Sequence, residues 1–137
     1  MNQLDSTRPI EPIPPKVNRI VREIVDAAYC VHSNLGPGLL ECVYENCLAY
    51  ELNKRGLRIS RQLSLPVIYD GKRFDSGLRL DFLVEDCVIV ELKAVERLLP
   101  VHHAQVLTYL KLTGYRLGLL INMNVSVIKN GIKRLAL

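Results

Sequence analysis

At 137 residues, with 49% hydrophobic and 23% charged side chains, the chain has the size and texture of one folded domain, which excludes a two-domain enzyme and wholesale disorder. Eighteen Lys and Arg against fourteen Asp and Glu leave a net charge of +4, an excess that permits nucleic-acid contact but equally suits plain solubility. No charged leader runs into an apolar stretch, and the apolar runs fall well short of the ~20 residues that cross a bilayer, so a cytoplasmic protein with no membrane contact is expected.

Residues 1–16, with Pro9, Pro12, Pro14 and Pro15 among polar neighbours, read as a flexible arm, because proline offers no amide donor to a helix. The domain proper is 17–137. From Val17 the positions Val17, Ile20, Val21, Ile24, Val25, Ala28 and Val31 recur at helical spacing and predict an amphipathic helix ending near His32. Gly36-Pro37-Gly38 forces a turn. A second periodic run, Leu39, Leu40, Val43, Cys47, Leu48 and Leu52, predicts a helix that stops at Gly56.

After Gly56 the runs shorten and become β-rich: Leu65 to Tyr69, Phe74 to Val84, and Cys87 to Leu92. Asp70-Gly71 between the first two is a hairpin signal, since both central residues of a type I′ turn need positive φ. The result is a three-stranded antiparallel meander, with Gly77 suggesting a bulge and Pro66 an edge strand. Pro100 opens a third helix with Val101, Ala104, Leu107, Thr108 and Leu112 as its inner stripe and Gly114 as its stop. Leu117 to Ile121 reads as an interior strand. Val125 to Lys129, Asn130-Gly131 and Ile132 to Leu135 read as a closing hairpin. Cys30, Cys42, Cys47 and Cys87 form no C-x-x-C pair and are expected to be buried free thiols.

Charged residues in core strands need partners, and two strands here carry them: Leu80-Asp81-Phe82-Leu83-Val84 and Val90-Glu91-Leu92-Lys93. Glu91 and Lys93, two apart, project to the same side of their strand. Whether Asp81 joins them depends on register. A two-residue Glu85-Asp86 loop would send Asp81 and Glu91 to opposite faces, whereas a three-residue loop or a bulge sets Asp81 opposite Glu91. Glu-Asp lacks the glycine a two-residue turn prefers, which favours the second register. Asp81 and Glu91 together could hold a hard divalent cation through oxygen, with Lys93 stabilising charge on a phosphate; the competing reading is a structural ion pair at a strand end.

The stretch Gly38-Leu39-Leu40-Glu41-Cys42-Val43-Tyr44 matches the G-x-x-E-x-x-Y signature, and the Asp81 and Glu91-Leu92-Lys93 strands, Gln105 to Leu110 and Gly118 to Asn122 are similar to the corresponding segments of the GxxExxY proteins. The resemblance runs from about Val17 to Leu135. That family is classed within the PD-(D/E)XK nuclease superfamily, which implies an α/β, restriction-endonuclease-like core: a mixed sheet with the three-stranded meander, flanked by helices.

The resemblance further implies a metal-dependent nuclease that hydrolyses phosphodiester bonds with a metal-activated water. Asp81 and Glu91 would be ligands to Mg2+ or Mn2+, Glu41 an additional metal-side carboxylate, Lys93 the charge-stabilising group, and Gln105 a holder of water or phosphate. Glu41 at a helix start equally suits a structural role at the helix dipole. Tyr44 and Tyr109 are expected to be buried wall residues bonding a carboxylate. His102 and His103 diverge by about 100° on a helix, so they cannot share one site. The basic run Lys54, Arg55, Arg58 and Arg61 and the tail Lys129, Lys133 and Arg134 read as solvated surface ahead of a nucleic-acid grip. The expected partner is nucleic acid, DNA ahead of RNA, with a homodimer left open. The rival reading is a non-catalytic interaction module that keeps the fold.

Overall fold

The computed structural model describes residues 12–137; residues 1–11 of the expected arm lie outside the described residues. Helix α1 (Pro15–Leu35) starts with proline at its first position, where a missing amide costs nothing, and so takes in Pro15 and Lys16 as well. It buries Ile20, Val21, Ile24, Ala27, Ala28 and Val31 along one face. Helix α2 (Glu41–Lys54) buries Tyr44, Leu48, Ala49 and Leu52. It begins two residues later than the hydrophobic pattern suggests, which leaves Leu39 and Leu40 exposed in the preceding loop.

Strands β1 (Ile59–Tyr69), β2 (Lys72–Val84) and β3 (Val88–Lys93) form the antiparallel meander. Helix α3 (Pro100–Thr113) then crosses over to β4 (Leu117–Asn122), which runs parallel to β3, and β5 (Ile132–Ala136) returns antiparallel to β4. The sheet order is β1-β2-β3-β4-β5. It is the mixed, helix-flanked sheet expected from the sequence. Helices α1 and α2 pack against Phe82, Val84, Val88, Val90, Leu92, Leu117, Leu119 and Ile121. Val106 and Leu110 of α3 pack with Leu80, Leu83, Ile89 and Leu120. The sheet is therefore sandwiched between two apolar layers, and no helix among the described residues is long and apolar enough to cross a membrane.

The turns decide where the strands meet. Asp70 and Gly71 both adopt positive φ, as a type I′ hairpin requires. The β1–β2 register shifts between Leu65 and Val67, at Pro66 and opposite Gly77, where a Cβ would overlap the Val67 side chain. Between β2 and β3, Val84 pairs with Val88, the three-residue register. The reason differs from the one the sequence suggested. Glu85 and Asp86 both take left-handed φ despite lacking glycine, the Cys87 amide bonds the Val84 carbonyl across them at 3.1 Å, and Cys87 is the additional residue that moves the register on by one.

Three expectations are corrected. The inner side of α3 is Val106 and Leu110, while Val101 is 63% and Leu112 48% exposed and Ala104 and Thr108 also face outward; apolar residues surround this helix, so their spacing does not single out a buried side. The chain after β4 forms no Val125–Lys129 strand: it bends through 124–127 into a 3-10 turn, Ile128–Gly131, and only then enters β5. Gly131 serves close approach, since a Cβ there would overlap the Asn122 carbonyl oxygen, and it is not among the positive-φ glycines. The cysteines are free but not buried: Cys30, Cys47 and Cys87 are half-buried and Cys42 is exposed.

Candidate active site

The row Gln62, Asp81, Glu91 crosses three strands at a point where the sheet is irregular. Arg61 lies over the Phe82 ring at 6.0 Å on the α2 side, yet Leu63 and Leu80 pack into the layer on the α3 side. Inward and outward positions thus slip by one residue on β1 and on β2 at the same place. Gln62 absorbs the slip on β1 with a φ of 48°, a left-handed conformation uncommon for a side-chain-bearing residue.

Across β2 and β3 the paired ladder ends at Phe82–Val90. One residue further, side chains take over from the main chain. The Asp81 amide donates to Glu91 Oε1 at 3.0 Å, and the Leu92 amide donates to Asp81 Oδ2 at 2.9 Å. Gln62 Nε2 donates to Asp81 Oδ1 at 3.2 Å and also to a Glu45 carboxylate oxygen. Each carboxylate is thereby held by the backbone of the facing strand.

These residues line a cleft of about 530 Å³ together with Glu41, Cys42, Arg79, Lys93 and Gln105. All five sequence-nominated residues, Glu41, Asp81, Glu91, Lys93 and Gln105, therefore border one cavity, and Glu91 and Lys93 share it as their two-residue spacing requires. Glu41 is the first residue of α2. The loop before it is held by Tyr44, whose hydroxyl donates to the Gly36 carbonyl at 2.6 Å and accepts from the Leu39 amide at 3.1 Å. A second tie runs from the Gly38 amide to Asn124 Oδ1 at 2.9 Å. Tyr44 is buried, as expected, but its partners are main-chain groups rather than a carboxylate: it fixes the loop that leads into α2 and Glu41. Tyr109 is half-buried rather than buried and among the described residues bonds no carboxylate; Gln105 Nε2 donates to its hydroxyl at 3.1 Å.

The cleft carries four carboxylates, Glu41, Glu45, Asp81 and Glu91, against Arg79 and Lys93. Glu91 is only 3% exposed; burial first, and the Asp81 charge second, push its carboxyl up to about 8, opposed by the Asp81 amide bond and then by Lys93. Burial followed by Asp81 also raises Glu41, again against Lys93. Burial and the Glu91 charge raise the Tyr109 hydroxyl. Such a site repels phosphate unless a cation or proton neutralises it. Among the described residues no three His, Cys, Asp or Glu side chains group closely enough to hold a metal ion unaided, so Glu41 borders the cleft without closing a three-carboxylate cage. Two hard oxygen donors next to open cleft do suit magnesium, which keeps several of its waters when bound.

Glu45, Gln62 and Arg79 also line the cleft and were not singled out from the sequence. Glu45 had a signal, since it sits four residues after Glu41 and therefore on the same helical face; Arg79 stands two before Asp81. His102 and His103 both turn back to Leu99: His102 Nδ1 accepts its amide at 2.9 Å, and His103 Nδ1 lies 3.3 Å from its carbonyl oxygen. The basic run is matched by acids, with Arg55 on Glu23 at 3.2 Å, Arg58 on Glu85 at 2.7 Å and Arg61 on Glu45 at 2.9 Å.

A helix-flanked sheet, an Asp on one strand facing a Glu-x-Lys strand, and a family model that matches residues 18–135 all coincide: the model is that of the PD-(D/E)XK nuclease superfamily. The chain belongs to that superfamily. No curated protein and no solved structure matches it. Nucleases of this superfamily are typically dependent on a divalent metal.

Proposed function

We propose that the protein is a metal-dependent nuclease that hydrolyses phosphodiester bonds in nucleic acid, with the site residues read from the sequence. The observation that carries the reading is the meeting of Asp81 and Glu91 in the β2–β3 gap, each fixed by a backbone amide of the other strand, with Lys93 in the same cleft. Asp81 and Glu91 would hold Mg2+ or Mn2+, and Glu41 would act across the cleft through water. A bound divalent cation supplies Lewis acidity to the attacking water and to the phosphate.

The chain's own groups do the rest. Lys93 presents an ammonium to the anionic phosphate and stabilises the charge that builds on its oxygens during attack. Gln105, steadied by its bond to Tyr109, orients the water or a phosphate oxygen. Gln62 holds Asp81 from the β1 side, so that the carboxylate does not need to reorganise when substrate arrives. No covalent intermediate is needed.

The test is cleavage of a panel of single- and double-stranded DNA and RNA with Mg2+ or Mn2+. Wild-type protein should cut at least one substrate class, and Lys93→Ala should lose about 100-fold or more of that rate, the order expected for removing one transition-state charge contact. If every substrate stays intact under both metals, the non-catalytic interaction module is the better reading.

A further inference from the structure

The cleft does not end at Lys93 and Gln105. These two residues also line a second cavity of about 460 Å³, which continues onto the outer side of α3 between Val101, His102, Ala104, Thr108 and Tyr109. On this point the proposal rests on the nuclease reading and extends it: we infer that the second cavity is a nucleobase subsite, so that the substrate is a strand presenting an unpaired nucleotide beside the phosphate at Lys93.

The chemistry of the walls supports that occupant. Val101, Ala104 and Thr108 recur at helical spacing on a side of α3 that the sheet does not use, and Tyr109 adds a ring. Together they form an apolar wall against which a flat heterocycle can lie, with the Tyr109 ring beside it. Hydrogen-bonding groups stand at the border: the Gln105 amide, the Thr108 hydroxyl and the His102 ring, the last held in place by the Leu99 amide. The ammonium of Lys93 lies where the two cavities meet. A ligand filling both must be anionic at that junction and apolar and flat on the α3 side, which describes a phosphate carrying a base. A base stacked inside a duplex does not offer its face, so occupancy requires an unpaired or extruded nucleotide.

The experiment is a titration followed by methyl NMR, using adenosine 5′-monophosphate, ribose 5-phosphate and a 12-nucleotide single strand as probes, with Mg2+ present to neutralise the cleft carboxylates and a phosphorothioate backbone in the strand so that it resists cutting. Adenosine monophosphate should shift the methyls of Val101, Ala104 and Thr108 in a saturable way. Ribose 5-phosphate should leave them unmoved. Ala104→Trp, on an exposed helix side where folding can be verified by its melting curve, should weaken adenosine monophosphate at least 10-fold without weakening ribose 5-phosphate. The single strand should bind at least 10-fold more tightly than the mononucleotide, and a fully paired version of it should not shift the three methyls.

Equal binding of adenosine monophosphate and ribose 5-phosphate, or an unchanged affinity in Ala104→Trp, would overturn the subsite. A single strand that binds no better than the mononucleotide would overturn the strand as its occupant. The two readings fail separately. Metal-dependent cleavage with no methyl shift removes the subsite alone, whereas methyl shifts without cleavage of any nucleic acid leave a base-binding cavity and remove the nuclease.

Discussion

Asp81 and Glu91 exchange backbone contacts across the strand gap: Glu91 Oε1 accepts the amide of Asp81, and Asp81 Oδ2 accepts the amide of Leu92, the residue after Glu91. The two carboxylates thus close the sheet where main-chain pairing has stopped, and each retains lone pairs for a further partner. The backbone amide on Glu91 favours its charged form, but burial and the neighbouring Asp81 charge outweigh that bond and raise the Glu91 carboxyl.

Stability should fall as the solution becomes alkaline. Glu91 titrates near 8 when folded and near the ordinary carboxyl value of about 4.3 when unfolded. Between these two values the folded chain holds the additional proton, so each rise in pH favours unfolding. In metal-free buffer the melting temperature should drop from pH 5 to pH 9, and Glu91→Gln should flatten that slope. A wild-type slope of the opposite sign would contradict the environment assigned to Glu91.

Lys93 opposes the upward shifts of both Glu91 and Glu41. Lys93→Met should therefore raise both carboxyls further, visible as a shift of the side-chain carboxyl carbon titrations to higher pH in NMR. Unmoved titrations would mean that the ammonium does not face these acids.

Tyr44→Phe removes the donor to the Gly36 carbonyl and the acceptor of the Leu39 amide. Leaving such groups unpaired costs about 1–3 kcal/mol, a loss readable in urea denaturation. Because the tyrosine anchors the loop and not the chemistry, residual activity should keep its metal dependence.

Gly131→Ala places a methyl against the Asn122 carbonyl oxygen, a backbone atom of β4 that cannot rotate away. The expected destabilisation is about 1–3 kcal/mol, the range for overpacking. A neutral result would show that the 3-10 turn before β5 yields easily.

Much of this arrangement is legible in the sequence. The meander, its Asp70-Gly71 hairpin and the convergence of Asp81 with Glu91 and Lys93 follow from alternation plus one decision about the Glu85 to Cys87 loop. The three-residue register has a further cause that the sequence does not spell, since left-handed φ at Glu85 and Asp86 is not encoded by glycine and the additional residue is Cys87. The side of α3 that is buried is not legible, because Val101, Val106, Leu107, Leu110 and Leu112 surround the helix; Gln105, which borders the cleft, carries the orientation instead. Asn130-Gly131 has the composition of a hairpin turn, but a glycine required for close approach is spelled the same way as one required for positive φ. Gln62 gave no signal, since its importance lies in a sheet irregularity created by strands far apart in sequence.

The account stands or falls on cation binding between β2 and β3. Calorimetric titration of Mn2+ into wild-type protein at pH 8 should give a saturable site, and Asp81→Ala and Glu91→Ala should each abolish or sharply weaken it while Tyr44→Phe retains it. Equal Mn2+ binding by wild type, Asp81→Ala and Glu91→Ala, or none in wild type, would contradict the site.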